Sequence, residues 1–167
     1  MDNLKSLDIL KNALIMEKRG EAFYKKVAEQ TDNIDVKLIF STMAQEEHLH
    51  IEFLSRQYAR FFKHHTFEIN EFPENTGINT ANLILAENIK KNIAAAGFEA
   101  AAISAAIDME NKAIEVYTER AVNSTDPNEK KLYDWLARWE QGHHKLLYYL
   151  DQELKEKIWF DNQFWPF

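Results

Sequence analysis

The chain has 167 residues, enough for one domain with a substantial core, and its four glycines and three prolines disfavour a loop-rich or all-β fold. It contains no cysteine, which excludes disulfides, thiolate zinc sites and cysteine-bound iron within these residues. The net charge of −7 disfavours nucleic-acid binding, and we predict neither a signal peptide nor a membrane span, so we expect a cytoplasmic protein.

The first third of the chain predicts a helical hairpin. Apolar residues at a spacing of three to four predict an amphipathic helix from Leu4 to Gln30 and a second from Asp35 to Lys63, with a turn at residues 31–33. Ionisable residues interrupt the inward, otherwise apolar faces of both helices; they are Glu17, Glu47 and His50.

The last part of the chain predicts a second hairpin. Its helices are predicted from Phe98 to Val122 and from Pro127 to Lys155, with Asp126 as the N-cap of the latter. Residues 64–96 connect the hairpins, first as a loop and then, from Thr80 to Ala96, as one or two short helices. The inward faces are again interrupted by ionisable residues, which are Glu110, Glu140 and His143.

The two hairpins form an internal repeat with a shift of 93 residues, since 110 − 17, 140 − 47 and 143 − 50 all give that number. The shift also aligns Met16 with Met109, Tyr24 with Tyr117, Ala28 with Ala121, Ala44 with Ala137 and Leu54 with Leu147. Within each hairpin the two glutamates are equidistant from the turn, about 20 Å away, and therefore lie at one level. Stacked hairpins with a long connection predict an all-α, ferritin-like four-helix bundle with a crossover between helices two and three.

Burying four carboxylates at one level requires protons, basic partners or cations, because a bare buried charge costs several kcal/mol. The inward faces near this level carry no Lys or Arg. One glutamate from each of two helices and Glu-x-x-His from each of the others is the ligand pattern of di-iron and di-manganese bundles. We therefore predict a pair of metal ions with six protein ligands, which are also the predicted catalytic residues because they act through the metals. They are Glu17, Glu47, His50, Glu110, Glu140 and His143.

Other polar residues near these positions have less specific interpretations. His144 replaces His143 as a ligand only if the helical register slips, and the repeat favours His143. Glu21 is expected to support the site or to be partly exposed. Residues off the inward faces are expected to be solvated; they are Glu46, His48, Glu52 and His144.

Two pairs of residues leave alternatives open. Tyr24 and Tyr117 either form hydrogen bonds near the site or simply pack in the core. Gly20 and Gly142 either open a path for a small oxidant or allow close helix packing.

The bundle is predicted to comprise residues 1–157, and the aromatic tail of residues 158–167 is expected to pack on the bundle or on a partner subunit.

At these motifs the chain resembles the rubrerythrin-like branch of the ferritin superfamily. The segments MEKRGEAFYKKVA and MENKAIEVYTERA are similar to its first and third helices, and MAQEEHLHIEFL and LARWEQGHHKLLYYL to its second and fourth. The resemblance covers about residues 5–155. It implies that Glu47 and Glu140 bridge two iron ions, with manganese as the other metal considered, and that Glu17 and Glu110 are terminal ligands.

The resemblance also implies a function: reduction of hydrogen peroxide or dioxygen in oxidative-stress defence by a homodimer or larger homo-oligomer. The chain lacks the cysteines of a rubredoxin-like domain, so an external electron donor is expected. It also has Ala113 where rubrerythrins carry an additional glutamate, which argues against the ligand exchange that this residue supports. The alternative functions are a ferroxidase or iron-storage and delivery protein, and an interaction module with structural metals.

Overall fold

The computed structural model describes residues 2–68, 87–89, 91 and 97–161 of the chain. Four helices account for most of them: α1 (Asp2–Gln30), α2 (Ile34–His64), α3 (Phe98–Asn123) and α4 (Pro127–Asp161). The described part of the chain contains no strand, which confirms the predicted all-α class. No helix within it has an apolar stretch long enough to cross a membrane.

Short capped turns join the helices of each hairpin. The Asn33 side chain accepts hydrogen bonds from the backbone N–H groups of Asp35 and Val36, both at 3.0 Å. Asp126 does the same at the start of α4, accepting from Asn128 N at 2.7 Å. Both caps satisfy backbone donors that the first helical turn leaves unpaired. The predicted N-cap at Asp126 is confirmed.

The hairpins lie antiparallel to each other, so their turns are at opposite ends of the bundle. The hydroxyl of Thr31, in the first turn, donates to Glu99 at the start of α3 at 2.8 Å. At the other end Arg120, near the end of α3, contacts Ser6 near the start of α1 at 3.3 Å. The chain therefore returns along the full length of the bundle between α2 and α3. This return is the long crossover expected for a ferritin-like topology.

The described ends of the crossover are fixed to the bundle. His65 takes a left-handed conformation with φ of 55° and ends α2, its N–H donating to Phe61 O at 2.9 Å. Gln57 is buried and accepts a hydrogen bond from the backbone N–H of Glu68 at 2.9 Å. Residues 87–89 and 91 are helical, and Ile89 is buried in the core. The other residues of the predicted Thr80–Ala96 helices lie outside the described part of the chain.

Two helix bounds differ from those predicted by more than one residue. Helix α1 begins at Asp2 rather than Leu4, and α4 continues to Asp161 rather than ending at Lys155. No glycine or proline interrupts the sequence after Lys155 until Pro166, and an Asp151–Lys155 ion pair at 2.5 Å supports the preceding turn. The helix therefore extends past residue 158, the expected start of the aromatic tail. Residues 162–167 of the tail lie outside the described part of the chain.

Apolar side chains form two buried clusters, one toward each end of the bundle. The first contains the end of α1, the start of α3 and the last buried residues of α4; among its members are Tyr24, Phe40, Ile103 and Leu150. The second lies toward the opposite end and includes Leu10, Leu54, Tyr117 and Leu136. A belt of ionisable residues separates the two clusters. The apolar clusters hold the four helices in register at this level.

Candidate metal centre

The structure brings all six predicted ligands together in the middle of the bundle. They come from all four helices, and each is at most 6 % exposed. Helices α1 and α3 provide one glutamate each, Glu17 and Glu110, whereas α2 and α4 provide the two Glu-x-x-His pairs. Residues three apart lie on one face of a helix. The glutamate and histidine of each pair therefore point into the same space.

The Nδ1 atom of His50 faces three carboxylates. It lies 3.1 Å from Glu17 Oε2, 3.4 Å from Glu47 Oε2 and 3.0 Å from Glu140 Oε1. Four groups, three glutamates and one histidine, thus offer donor atoms within 4.8 Å of one another. Carboxylate oxygen and imidazole nitrogen in this number suit a divalent transition metal.

A second group of the same composition surrounds His143. Its Nδ1 lies 3.3 Å from Glu110 Oε1, 3.4 Å from Glu47 Oε1 and 3.1 Å from Glu140 Oε2. Glu47 and Glu140 belong to both groups. Each of these two carboxylates directs one oxygen toward His50 and the other toward His143. That division is the arrangement of a carboxylate that bridges two cations.

Without cations the cluster must hold protons. Burial, together with the neighbouring Glu47, raises the pKa of Glu17 to about 8. Burial and the charge of Glu140 likewise raise the pKa of Glu110 well above its ordinary value. Burial alone lowers the pKa of His50, but the carboxylates of Glu140, Glu17 and Glu47 outweigh it and raise that pKa. Two divalent cations would remove the need for these protons and supply the positive charge that the site lacks.

The two tyrosines of the repeat connect the hairpins through hydrogen bonds. The hydroxyl of Tyr24, on α1, donates to Glu110 on α3, and that of Tyr117, on α3, donates to Glu17 on α1. Both tyrosines are buried. The alternative left open by the sequence is therefore decided: both residues pack in the core, and each donates a hydrogen bond to a glutamate of the cluster.

Glu46, which we expected to be solvated, contacts a histidine of the cluster. Its Oε2 lies 2.5 Å from Nε2 of His143, on the side of the ring away from the carboxylate cluster. The side chain is 31 % exposed, so it reaches the cluster from the rim of the bundle. The position of Glu46 in α2, next to Glu47 and off the inward face, gave no signal of this contact.

The remaining polar candidates lie outside the cluster. Glu21 is buried but pairs with Lys25 at 2.6 Å and with His48 at 3.0 Å. The hydrogen bond from Lys25 is the main reason that the pKa of Glu21 is lowered to about 2. His144 stacks on Tyr148 with ring centroids 5.7 Å apart. His143, and not His144, is therefore the histidine of the cluster, as the repeat indicated.

A cavity of about 180 Å³ reaches the cluster between α1 and α3. Its walls include two repeat-related pairs, Met16 with Met109 and Gly20 with Ala113, and exposed Arg19 and Lys112 also line it. Four cluster carboxylates border it; they are Glu17, Glu47, Glu110 and Glu140. The cavity connects these carboxylates with the surface. Gly20, one of the two glycines considered for such a path, lines it, whereas Gly142 does not.

An all-α bundle with a full-length crossover and a buried Glu/His cluster able to hold metal defines the ferritin-like class of metal-binding proteins. Within this class the sequence is more specific. The family model described as Rubrerythrin matches residues 8–151, and the chain belongs to the rubrerythrin family. No curated protein and no solved structure matches the chain significantly.

Proposed function

We propose that the protein is a di-iron oxidoreductase that reduces hydrogen peroxide or dioxygen. The observation that carries this proposal is the division of Glu47 and Glu140 between two ligand groups, each of which has its own histidine. Membership of the rubrerythrin family, whose proteins are typically oxidoreductases with a di-iron site, supports it.

In this proposal each cation has one terminal glutamate and one histidine. Glu17 and His50 would hold one, Glu110 and His143 would hold the other, and Glu47 and Glu140 would contribute to both. These donors fit the pair because Glu140 Oε1, although 3.0 Å from His50 Nδ1, is buried and has no well-aligned hydrogen bond among the described residues. Coordination would satisfy this oxygen. Iron is proposed because rubrerythrin-family sites typically hold di-iron, and manganese accepts the same ligands.

With peroxide the proposed two-electron reaction is H2O2 + 2 e⁻ + 2 H⁺ → 2 H2O, and with dioxygen it is O2 + 2 e⁻ + 2 H⁺ → H2O2. The metal pair, when bound, supplies the two electrons and polarises the oxidant. The chain admits the oxidant through the cavity between α1 and α3, past the side chains of Met16 and Met109. Tyr24 and Tyr117 hold the terminal glutamates in place through their hydroxyl groups. The 167 residues hold no cysteine-bound iron, so the electrons come from a donor outside them.

The assembly state belongs to the proposal as well. Rubrerythrin-family proteins are often oligomeric, and we propose a homodimer or a larger homo-oligomer acting in oxidative-stress defence. The second candidate, a ferroxidase that stores or delivers iron, requires a closed shell. Gel filtration tests the storage function, because a dimer cannot enclose a mineral core.

The reaction of the ferrous protein with peroxide tests the proposal. After anaerobic loading with Fe²⁺, one equivalent of hydrogen peroxide per chain should oxidise the site rapidly, as followed by absorption. Glu47→Ala removes a bridging ligand and should abolish this response. Glu52→Ala, which changes an exposed glutamate of the same helix, should leave it intact. If the iron-loaded wild type reacts with neither peroxide nor dioxygen, the proposed function is refuted.

A further inference from the structure

The internal repeat is broken at a position beside the two histidines. The shift of 93 residues relates Glu46 in α2 to Trp139 in α4, since 46 + 93 gives 139. Glu46 contacts His143, whereas Trp139 contacts His50. Two histidines that occupy equivalent places in the repeat therefore have chemically different neighbours.

His143 has a carboxylate behind it. Its Nδ1 faces the glutamate cluster, and its Nε2 lies 2.5 Å from Glu46 Oε2. With Glu46 ionised, the ring donates its Nε2–H to this carboxylate and keeps the Nδ1 lone pair for a cation. A carboxylate in this place fixes the orientation of the imidazole and makes it a stronger metal donor.

His50 is instead surrounded by aromatic rings. The ring centroids of Trp135 and Trp139 both lie 5.3 Å from that of His50, in edge-to-face arrangements. His50 is fully buried, and among the described residues its Nε2 has no hydrogen-bond partner. The indole rings restrict the imidazole sterically, but nothing described increases the donor strength of its Nδ1.

The other ligands do not cancel this difference. Glu47 and Glu140 each direct one oxygen to each of the two groups. Glu17 and Glu110 each receive a hydrogen bond from one of the repeat-related tyrosines. The two halves of the cluster therefore match in carboxylates and tyrosines. They differ in what lies behind the histidine.

We propose that the two metal positions are unequal: the position of His143 and Glu110 binds its cation more tightly and fills first, and Glu46 is the positioning residue responsible. This inference rests on the proposed function only in that the six residues must bind a metal pair. It does not depend on which oxidant is reduced.

Stepwise titration of the metal-free protein with Co²⁺ tests this proposal, with visible absorption and calorimetry reporting each binding step. The wild type should show a tight and a weak step. Loss of an outer carboxylate behind a histidine ligand typically lowers metal affinity about 10- to 100-fold. Glu46→Gln, which keeps an acceptor but loses the charge, should weaken the tight step toward the lower end of that range. Glu46→Leu should weaken it further.

Matched variants separate this effect from a general structural one. Glu52→Gln, an exposed substitution in the same helix, should leave both steps unchanged. The weak step should persist in both Glu46 variants, which also shows that they are folded. Equal weakening of both steps, or no change in the Glu46 variants, would overturn the inference. Two indistinguishable binding steps in the wild type would overturn this inference but not the proposed function. No cobalt binding at all would overturn both.

Discussion

At Glu17 a buried carboxylate depends on donors from two other helices. The Tyr117 hydroxyl on α3 donates to one of its oxygens, and Nδ1 of His50 on α2 lies 3.1 Å from the other. Glu110 receives the equivalent bond from Tyr24. A buried carboxyl oxygen that loses its hydrogen-bond donor stays unsatisfied, because water cannot replace the donor. These contacts therefore fix the carboxylates in positions from which cations can be bound.

We predict that Tyr117→Phe lowers the free energy of unfolding by about 1–3 kcal/mol, because the substitution leaves a buried carboxylate oxygen without its donor. Urea denaturation of the metal-free protein measures the change. Tyr148→Phe, at a half-exposed position on α4, is the matched control and should be close to neutral. An unchanged midpoint and slope for Tyr117→Phe would show that the hydroxyl contributes nothing to the fold.

The stability of the metal-free protein should depend on pH in a defined direction. The pKa of Glu17 is raised by burial from 4.5 to about 8, so between these values the folded state binds more protons than the unfolded state. The free energy of unfolding therefore falls as pH rises from about 4.5 to about 8. The raised pKa values of Glu110, His50 and His143 act in the same direction.

Glu17→Gln provides the matched comparison, because glutamine resembles the protonated carboxyl group. Its metal-free form should lose less stability between pH 5 and pH 8 than the wild type does, as measured by thermal unfolding. For a single group the slope is at most about 1.4 kcal/mol for each pH unit. Identical pH profiles for the two proteins would contradict the assignment of a proton to Glu17.

At the scale of helices, Gly20 of α1 lies beside the Glu47 side chain of α2. A Cβ atom at this position would lie 3.5 Å from Glu47 Cδ and 3.6 Å from its Oε2, which is ordinary van der Waals contact. The repeat-related residue is Ala113, which lines the same cavity. The helix therefore has room for one additional carbon but not for a branched side chain directed at the bridging glutamate.

Gly20→Ala should preserve metal binding and raise the free energy of unfolding by up to about 1 kcal/mol, because alanine has the higher helix propensity. Gly20→Leu should fill the cavity, displace Glu47 and slow oxidation by peroxide. Metal stoichiometry, urea denaturation and stopped-flow absorption distinguish these effects. Unchanged peroxide kinetics in Gly20→Leu would show that the oxidant does not use this cavity.

The helices and the six cluster residues were predictable because their signals are local or repeated. A spacing of three to four locates each helix, and the shift of 93 residues selects Glu17 with Glu110 and His143 rather than His144. The contact of Glu46 with His143 was not predictable, because it depends on the packing of α2 against α4. The roles of Tyr24 and Tyr117 depend in the same way on the position of α1 relative to α3.

For the whole molecule, the repeat creates an approximate two-fold relation between antiparallel hairpins. Two apolar clusters hold the bundle together on either side of the ionisable belt. The fold alone does not explain why four glutamates are buried at its centre, since unpaired buried charge opposes folding. A pair of bound cations would explain both the choice of these residues and the division of Glu47 and Glu140 between two histidines.

Anomalous X-ray diffraction from crystals loaded anaerobically with Fe²⁺, recorded on both sides of the iron absorption edge, tests this explanation most directly. We expect two anomalous peaks per chain, both between Glu47 and Glu140, one beside His50 and the other beside His143. A single peak elsewhere, or no peak in crystals that contain the intact six-residue cluster, would contradict the account.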